Sequence, residues 1–177
     1  MKYFLFFILL YSGQLFAQSS IYDQTVQSEK GKTISLSDYK GKKLLIAVVS
    51  TDNLKKKDAI NYWDSLQTSN PGVVVFVIPA DDISKDTDTT NNNTQQTSSD
   101  KVTVTSIASA KKDKGSSQHP LMQWLTHVVK NSHFDADVET DIQLYVISES
   151  GLLYAVLEKG VRQQLIDDVL KQEDVKP

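Results

Sequence analysis

The chain contains no cysteine in 177 residues. That absence excludes disulfides, thiolate nucleophiles and thiolate-bound zinc. Of its two methionines one is Met1, and the other, Met122, shares helical spacing with apolar neighbours, which marks it as core filler rather than a redox group. Positive charge is scarce as well, with 19 Lys and Arg against 22 Asp and Glu and a formal net charge of -3. Sequence-independent nucleic-acid binding needs clustered cations that displace counterions, so this balance argues against it. Long apolar runs are also missing: the longest, Tyr3 to Tyr11, is too short for a permanent membrane span.

What is present begins with that same run. Lys2 precedes it and the small residue Ala17 follows, the pattern of a secretory signal peptide over residues 1–17, with Leu15 larger than the usual residue at its place. Its removal takes away Lys2 and brings the net charge to -4. The expectation is an exported protein, periplasmic or secreted, and no cysteine near the cut offers a lipid anchor. Residues 18–177 suit one domain with a single core.

Apolar periodicity divides this domain. "SIYDQTVQ" and "KTISLSDY" read as two small strands turning at Gly31, an N-terminal β-hairpin. "LLIAVV" and "VVVFVI" are continuous apolar runs, as in strands buried on both faces, and between them Ile60, Trp63 and Leu66 recur at helical spacing. A parallel β-α-β unit with a right-handed crossover follows from that order. The stretch 84–101 is polar and of low complexity, with no apolar residue to support a core. It holds the sequon Asn92-Asn93-Thr94, which matters only in a eukaryotic secretory route. "KVTVTSIASA" reads as a strand. "QHPLMQWLTHVVKN" reads as a helix with Pro120 in its first turn and a buried stripe of Leu121, Trp124, Leu125 and Val128. "IQLYVI" and "LLYAVLEKG" form a hairpin turning at Gly151, and "VRQQLIDDVLKQ" closes the chain as a helix buried through Val161, Leu165, Val169 and Leu170.

Several strings within this order resemble the glutathione peroxidase family. "SIYDQTVQSEKGKTISLSDYKGKKLLI" is similar to the family's opening hairpin and first central strand, "HPLMQWL" resembles its "HPLYKFL" helix start, and "YVISESGLLYAVLEKG" with "LIDDVLKQ" resembles its late hairpin and closing helix. The likeness runs from about residue 20 to 172 and is weakest over 84–117. It implies a thioredoxin-like α/β fold, a central mixed β-sheet flanked by helices, preceded by the hairpin. It also implies a pocket built from a cysteine or selenocysteine, a glutamine, a tryptophan and an asparagine. Counting outward from the matching strings places Asn53, Asp82, Thr140 and Asp141 at those four positions. All four differ from the family's residues, and "TSIA" stands where the family has "FPVF".

Peroxide reduction by that route requires a chalcogen anion to attack the O–O bond. An asparagine amide has no such nucleophilicity, and the neighbouring hydroxyls of Ser50 and Thr51 serve acyl or phosphoryl transfer when a base activates them. The expected function is therefore that of an exported glutathione peroxidase-like protein without thiol peroxidase activity. It would work as a binding or interaction module toward a protein or small-molecule partner and use no cofactor. Two alternatives stay open. One is retained peroxide-related activity of the family. The other is a metal-assisted enzyme using Asp82 and Asp141, with Asp52 and Asp81 beside them, since Ca²⁺ or Mg²⁺ prefers carboxylate oxygens; a solvated acidic rim is the plainer account. His119 borders a helix start, and His127 and His133 with Asp135 and Asp137 contain metal-ligand residue types without a fixed ligand pair. Lys55 to Lys57 are placed in the first turn of a helix, where cations oppose the dipole, as a solvated face or an anion contact.

Overall fold

A computed structural model describes residues 20–56, 58–83 and 99–173. The signal peptide expected over 1–17, the sequon, Lys57 and most of the polar stretch at 84–101 lie outside the described residues. The element order is β1 (Thr25–Gln27), β2 (Thr33–Ser35), β3 (Lys43–Ser50), α1 (Thr51–Leu54), α2 (Ala59–Ser69), β4 (Val73–Ala80), β5 (Thr103–Val104), α3 (Pro120–Thr126), α4 (Val128–Asn131), β6 (Ile142–Ile147), β7 (Leu153–Glu158) and α5 (Gln163–Lys171). Short 3-10 turns at Ile21–Asp23 and Leu36–Tyr39 bracket the opening hairpin, so that hairpin is shorter than its strings suggest.

The central sheet has the order β5-β4-β3-β6-β7, with β3 parallel to β4 and antiparallel to β6. All eight residues of β3 are buried because the sheet is covered on both faces. Alternation along the strand sends Leu44, Ile46 and Val48 into one core and Leu45, Ala47 and Val49 into the other. The first core is closed by Leu121, Met122, Trp124 and Leu125 of α3, the second by Trp63 and Leu66 of α2 and by Ile166 and Leu170 of α5. This is the thioredoxin-like α/β arrangement that the strings imply: a mixed sheet between helices, with a separate small hairpin.

Both sheet edges are interrupted. Strand β5 is two residues long and is bridged by the hairpin through Ser28 and Thr105. On the other side the register of β7 shifts at Tyr154, a bulge that blunts an edge open to strand addition.

Three details depart from the periodicity. The helix after β3 is broken: α1 ends at Leu54, Asp58 takes a left-handed conformation (φ 63°), and α2 starts at Ala59. Lys55 therefore caps the C-terminus of α1, where a cation complements the dipole instead of opposing it. The second helix breaks at His127, whose backbone is extended, and Val128 is exposed rather than buried. Asn131 closes that break, donating to the carbonyls of Trp124, Leu125 and Phe134 and accepting from the amides of His133 and Phe134. In α5 the buried stripe is Ile166 and Leu170, while Leu165 is exposed. No helix among the described residues is long and apolar enough to cross a membrane.

Candidate functional site

The parallel pairing of β3 with β4 aligns Ser50 with Ala80, and an isolated bridge aligns Ala80 with Ala108. Antiparallel β6 enters at the same end, because Val49 pairs with Ile142 and the Ser50 amide donates to the Asp141 carbonyl at 2.9 Å. This end of the sheet thus gathers the start of α1, the residues following β4 and the approach to β6. Ser50 caps α1, its Oγ accepting from the Asn53 backbone amide at 3.3 Å.

Asn53 lies under that cap and is buried. Its side-chain Nδ2 donates to Ser50 Oγ at 3.0 Å and to Asp141 Oδ2 at 2.7 Å, while its Oδ1 accepts from Lys56 Nζ at 2.5 Å. Asp141 Oδ2 also accepts from Lys159 Nζ at 2.7 Å. The result is a continuous chain of Lys56, Asn53, Asp141 and Lys159 in which the amide links the Lys56 ammonium to the Asp141 carboxylate, and that carboxylate also holds the Lys159 ammonium. The Lys159 hydrogen bond holds the Asp141 carboxyl below the usual carboxylate range, assisted by the Asn53 amide and opposed by burial.

The other two singled-out residues turn elsewhere. Asp82 follows β4 at this end of the sheet, but its carboxylate accepts from the Ala110 and Lys111 amides at 2.9–3.0 Å and so pins the segment before α3. The Thr140 hydroxyl donates to the Ile142 carbonyl. Asn53 and Asp141 are thus joined directly, and neither Asp82 nor Thr140 hydrogen-bonds to them. No group of three or more histidine and acidic side chains able to hold a metal occurs among the described residues. A cation at Asp82 or Asp141 would have to share carboxylates that already accept from these donors, and at Asp141 it would meet the Lys159 ammonium.

The histidines are likewise engaged locally. His119 is the N-cap of α3, His127 Nδ1 lies 3.1 Å from the Gln123 carbonyl, and His133 Nδ1 lies 2.7 Å from the Asn131 carbonyl. Asp135 pairs with Lys112, and Asp137 accepts from the Lys112 amide.

Lys159 is the member of the network that no sequence motif indicates. It reaches Asp141 because β6 and β7 pair with Gln143 opposite Glu158, which brings the residue just after β7 beside the entry to β6. Reading the hairpin register outward from Gly151 is the signal that would have found it. Chemically, the arrangement offers hydrogen bonding and charge pairing. The chain has no cysteine to supply a thiolate, and the Asn53 amide is held in place from both of its ends.

No family model and no curated protein matches this chain. Solved structures do. Trgpx in its apo form superposes with a TM-score of 0.60 at 19% identity, covering 88% of this chain and 98% of that one. T. cruzi GPX1 gives 0.59 at 18%, covering 86% and 94%. A thioredoxin-family thiol:disulfide interchange protein from Chlorobium tepidum gives 0.52 at 17%, covering 84% and 90%. At such identities the likeness speaks for the fold alone, which is thioredoxin-like and of the glutathione peroxidase type.

Proposed function

We propose that this chain is an exported, degenerate relative of the glutathione peroxidases that carries out no thiol peroxidase reaction and serves as a binding or interaction module. In this reading residues 1–17 direct export to the periplasm or the exterior, and 18–177 form one domain. Asn53, Asp82, Thr140 and Asp141 occupy the family's catalytic positions.

The observation that carries the reading is the hydrogen bond from Asn53 Nδ2 to Asp141 Oδ2 at 2.7 Å. Where the family's chemistry needs an anion free to attack peroxide, an amide stands instead, already tied to a carboxylate and a lysine. Such a network stabilises a shape, and a fixed shape without a nucleophile is suited to recognition. Purified protein mixed with a hydroperoxide and a thiol reductant is expected to consume peroxide no faster than buffer alone. Saturable turnover above that background overturns the reading.

A further inference from the structure

The first turn of α3 is closed by a titratable side chain. His119 is the N-cap, and its Nδ1 accepts a hydrogen bond from the Leu121 backbone amide at 3.2 Å. Its own amide donates to the Ser109 carbonyl, and its carbonyl accepts from the Gln123 amide. The ring therefore stands where the segment before α3 meets the helix that seats Leu121, Met122, Trp124 and Leu125 in the core. Capping by Ser, Thr, Asn or Asp is insensitive to pH near neutrality. An imidazole nitrogen accepts only while it is unprotonated.

We propose that His119 is an acid-sensitive latch on α3: a proton at Nδ1 replaces the acceptor with a donor facing the Leu121 amide and opens the first helical turn. The step adds one proton from solvent to Nδ1 and removes one intrachain hydrogen bond. The resulting imidazolium also meets the positive end of the helix, where a cation is unfavourable.

The surroundings do not offset this. Across the joint, the Asp82 carboxylate is held by the Ala110 and Lys111 amides, the 3-10 turn Lys112–Ser117 leading to His119 carries Lys112, Asp113 and Lys114, and α3 itself has no ionisable residue; none of these charges moves the His119 pKa. Burial alone lowers the pKa of His119 from its ordinary value of 6.5. For a histidine lowered in the folded state, stability is complete above the unfolded pKa of about 6.5 and is lost as pH falls through the folded value. The latch therefore works on the acid side of neutrality.

The test compares wild type with His119→Asn, whose side-chain oxygen caps the same amide at every pH. Between pH 7 and pH 5 the wild-type melting temperature is expected to fall by about 2–4 °C more than that of H119N. The protection factor of the Leu121 amide, its exchange relative to the intrinsic rate at each pH, is expected to fall in wild type alone. Because H119N keeps a cap, its folding at pH 7 is checked by the same melt; if it is misfolded, the wild-type Leu121 exchange and the His119 NMR titration decide. Equal pH dependence of the two proteins, or a wild-type Leu121 amide equally protected at both pH values, overturns the proposal.

Discussion

Asn53 and Asp141 are 88 positions apart in the chain and 2.7 Å apart in space, amide nitrogen to carboxylate oxygen. The contact exists because β3 and β6 are neighbours and both residues lie just beyond the paired region at the same end. It is polar, part-buried and shared with two lysines, so the two residues depend on each other's chemistry.

That dependence predicts the outcome of Asn53→Asp. The replacement sets two carboxylates against each other, and one of them keeps a proton that it would release in the unfolded chain. The pKa of the pair's upper step is raised by folding, so the cost is small near pH 4 and grows as pH rises. A loss of about 1–3 kcal/mol is expected at pH 7, most of it recovered at pH 4, as read by urea unfolding at both values. A pH-independent loss would show that the flanking lysines absorb the second charge.

Asp141 in the native protein has the opposite sign. Its carboxyl is lowered by Lys159 first and then by Asn53, so its contribution is fully present above the ordinary carboxylate value and disappears as pH falls through the lower folded one. Lys159→Met removes the main cause. The expected result is a destabilisation of well under about 1 kcal/mol at pH 7, since Lys159 is half exposed, together with an upward shift of the Asp141 titration followed by NMR.

Much of this architecture is legible because strands buried on both faces must be apolar throughout. The runs at Leu44 to Val49 and Val73 to Ile78 fall inside β3 and β4, and the hairpin about Gly151 becomes β6 and β7. Helix interruptions are less visible. Asp58 is polar and ordinary in sequence, yet its left-handed backbone separates α1 from α2, and the extended His127 interrupts an unbroken apolar pattern. In α5 the spacing permits more than one stripe, and packing against the sheet selects Ile166 over Leu165. At the site, Asn53 and Asp141 come from counting along the strings that resemble the family, whereas Lys159 requires the hairpin register and Asp82 is drawn off by the Ala110 and Lys111 amides, a long-range contact that no local pattern encodes.

A buried cation holds the closing helix. Lys43 is 4% exposed at the start of β3, and its Nζ donates to the carbonyls of Leu170 and Gln172 at the end of α5, with Glu149 Oε1 at 3.5 Å. An ammonium on unsatisfied terminal carbonyls is the favourable polarity for a helix dipole. Lys43→Met keeps the apolar stem and leaves those carbonyls without their donor. The expected cost is about 1–3 kcal/mol, with amide exchange accelerated along the last turn of α5 but unchanged in α3. Uniform acceleration across the domain would mean that α5 unfolds only with the whole.

The hairpin turn gives the sharpest steric prediction. Gly151 has φ +86°, and a Cβ built there stands 2.5 Å from Tyr22 Cε2 and 3.2 Å from Ile21 Cγ2, while the Tyr22 hydroxyl is fixed by its bond to the Glu149 carbonyl. Gly41 has nearly the same φ, +79°, but no atom within 4 Å of its virtual Cβ. Gly41→Ala therefore measures left-handed strain alone, at about 1–2 kcal/mol, and Gly151→Ala adds the displacement of a packed aromatic ring for a total of about 2–4 kcal/mol. Equal losses in the two variants, measured by thermal or urea unfolding, would show that Tyr22 swings aside without cost. The opening 3-10 turn would then rest on the hairpin only loosely.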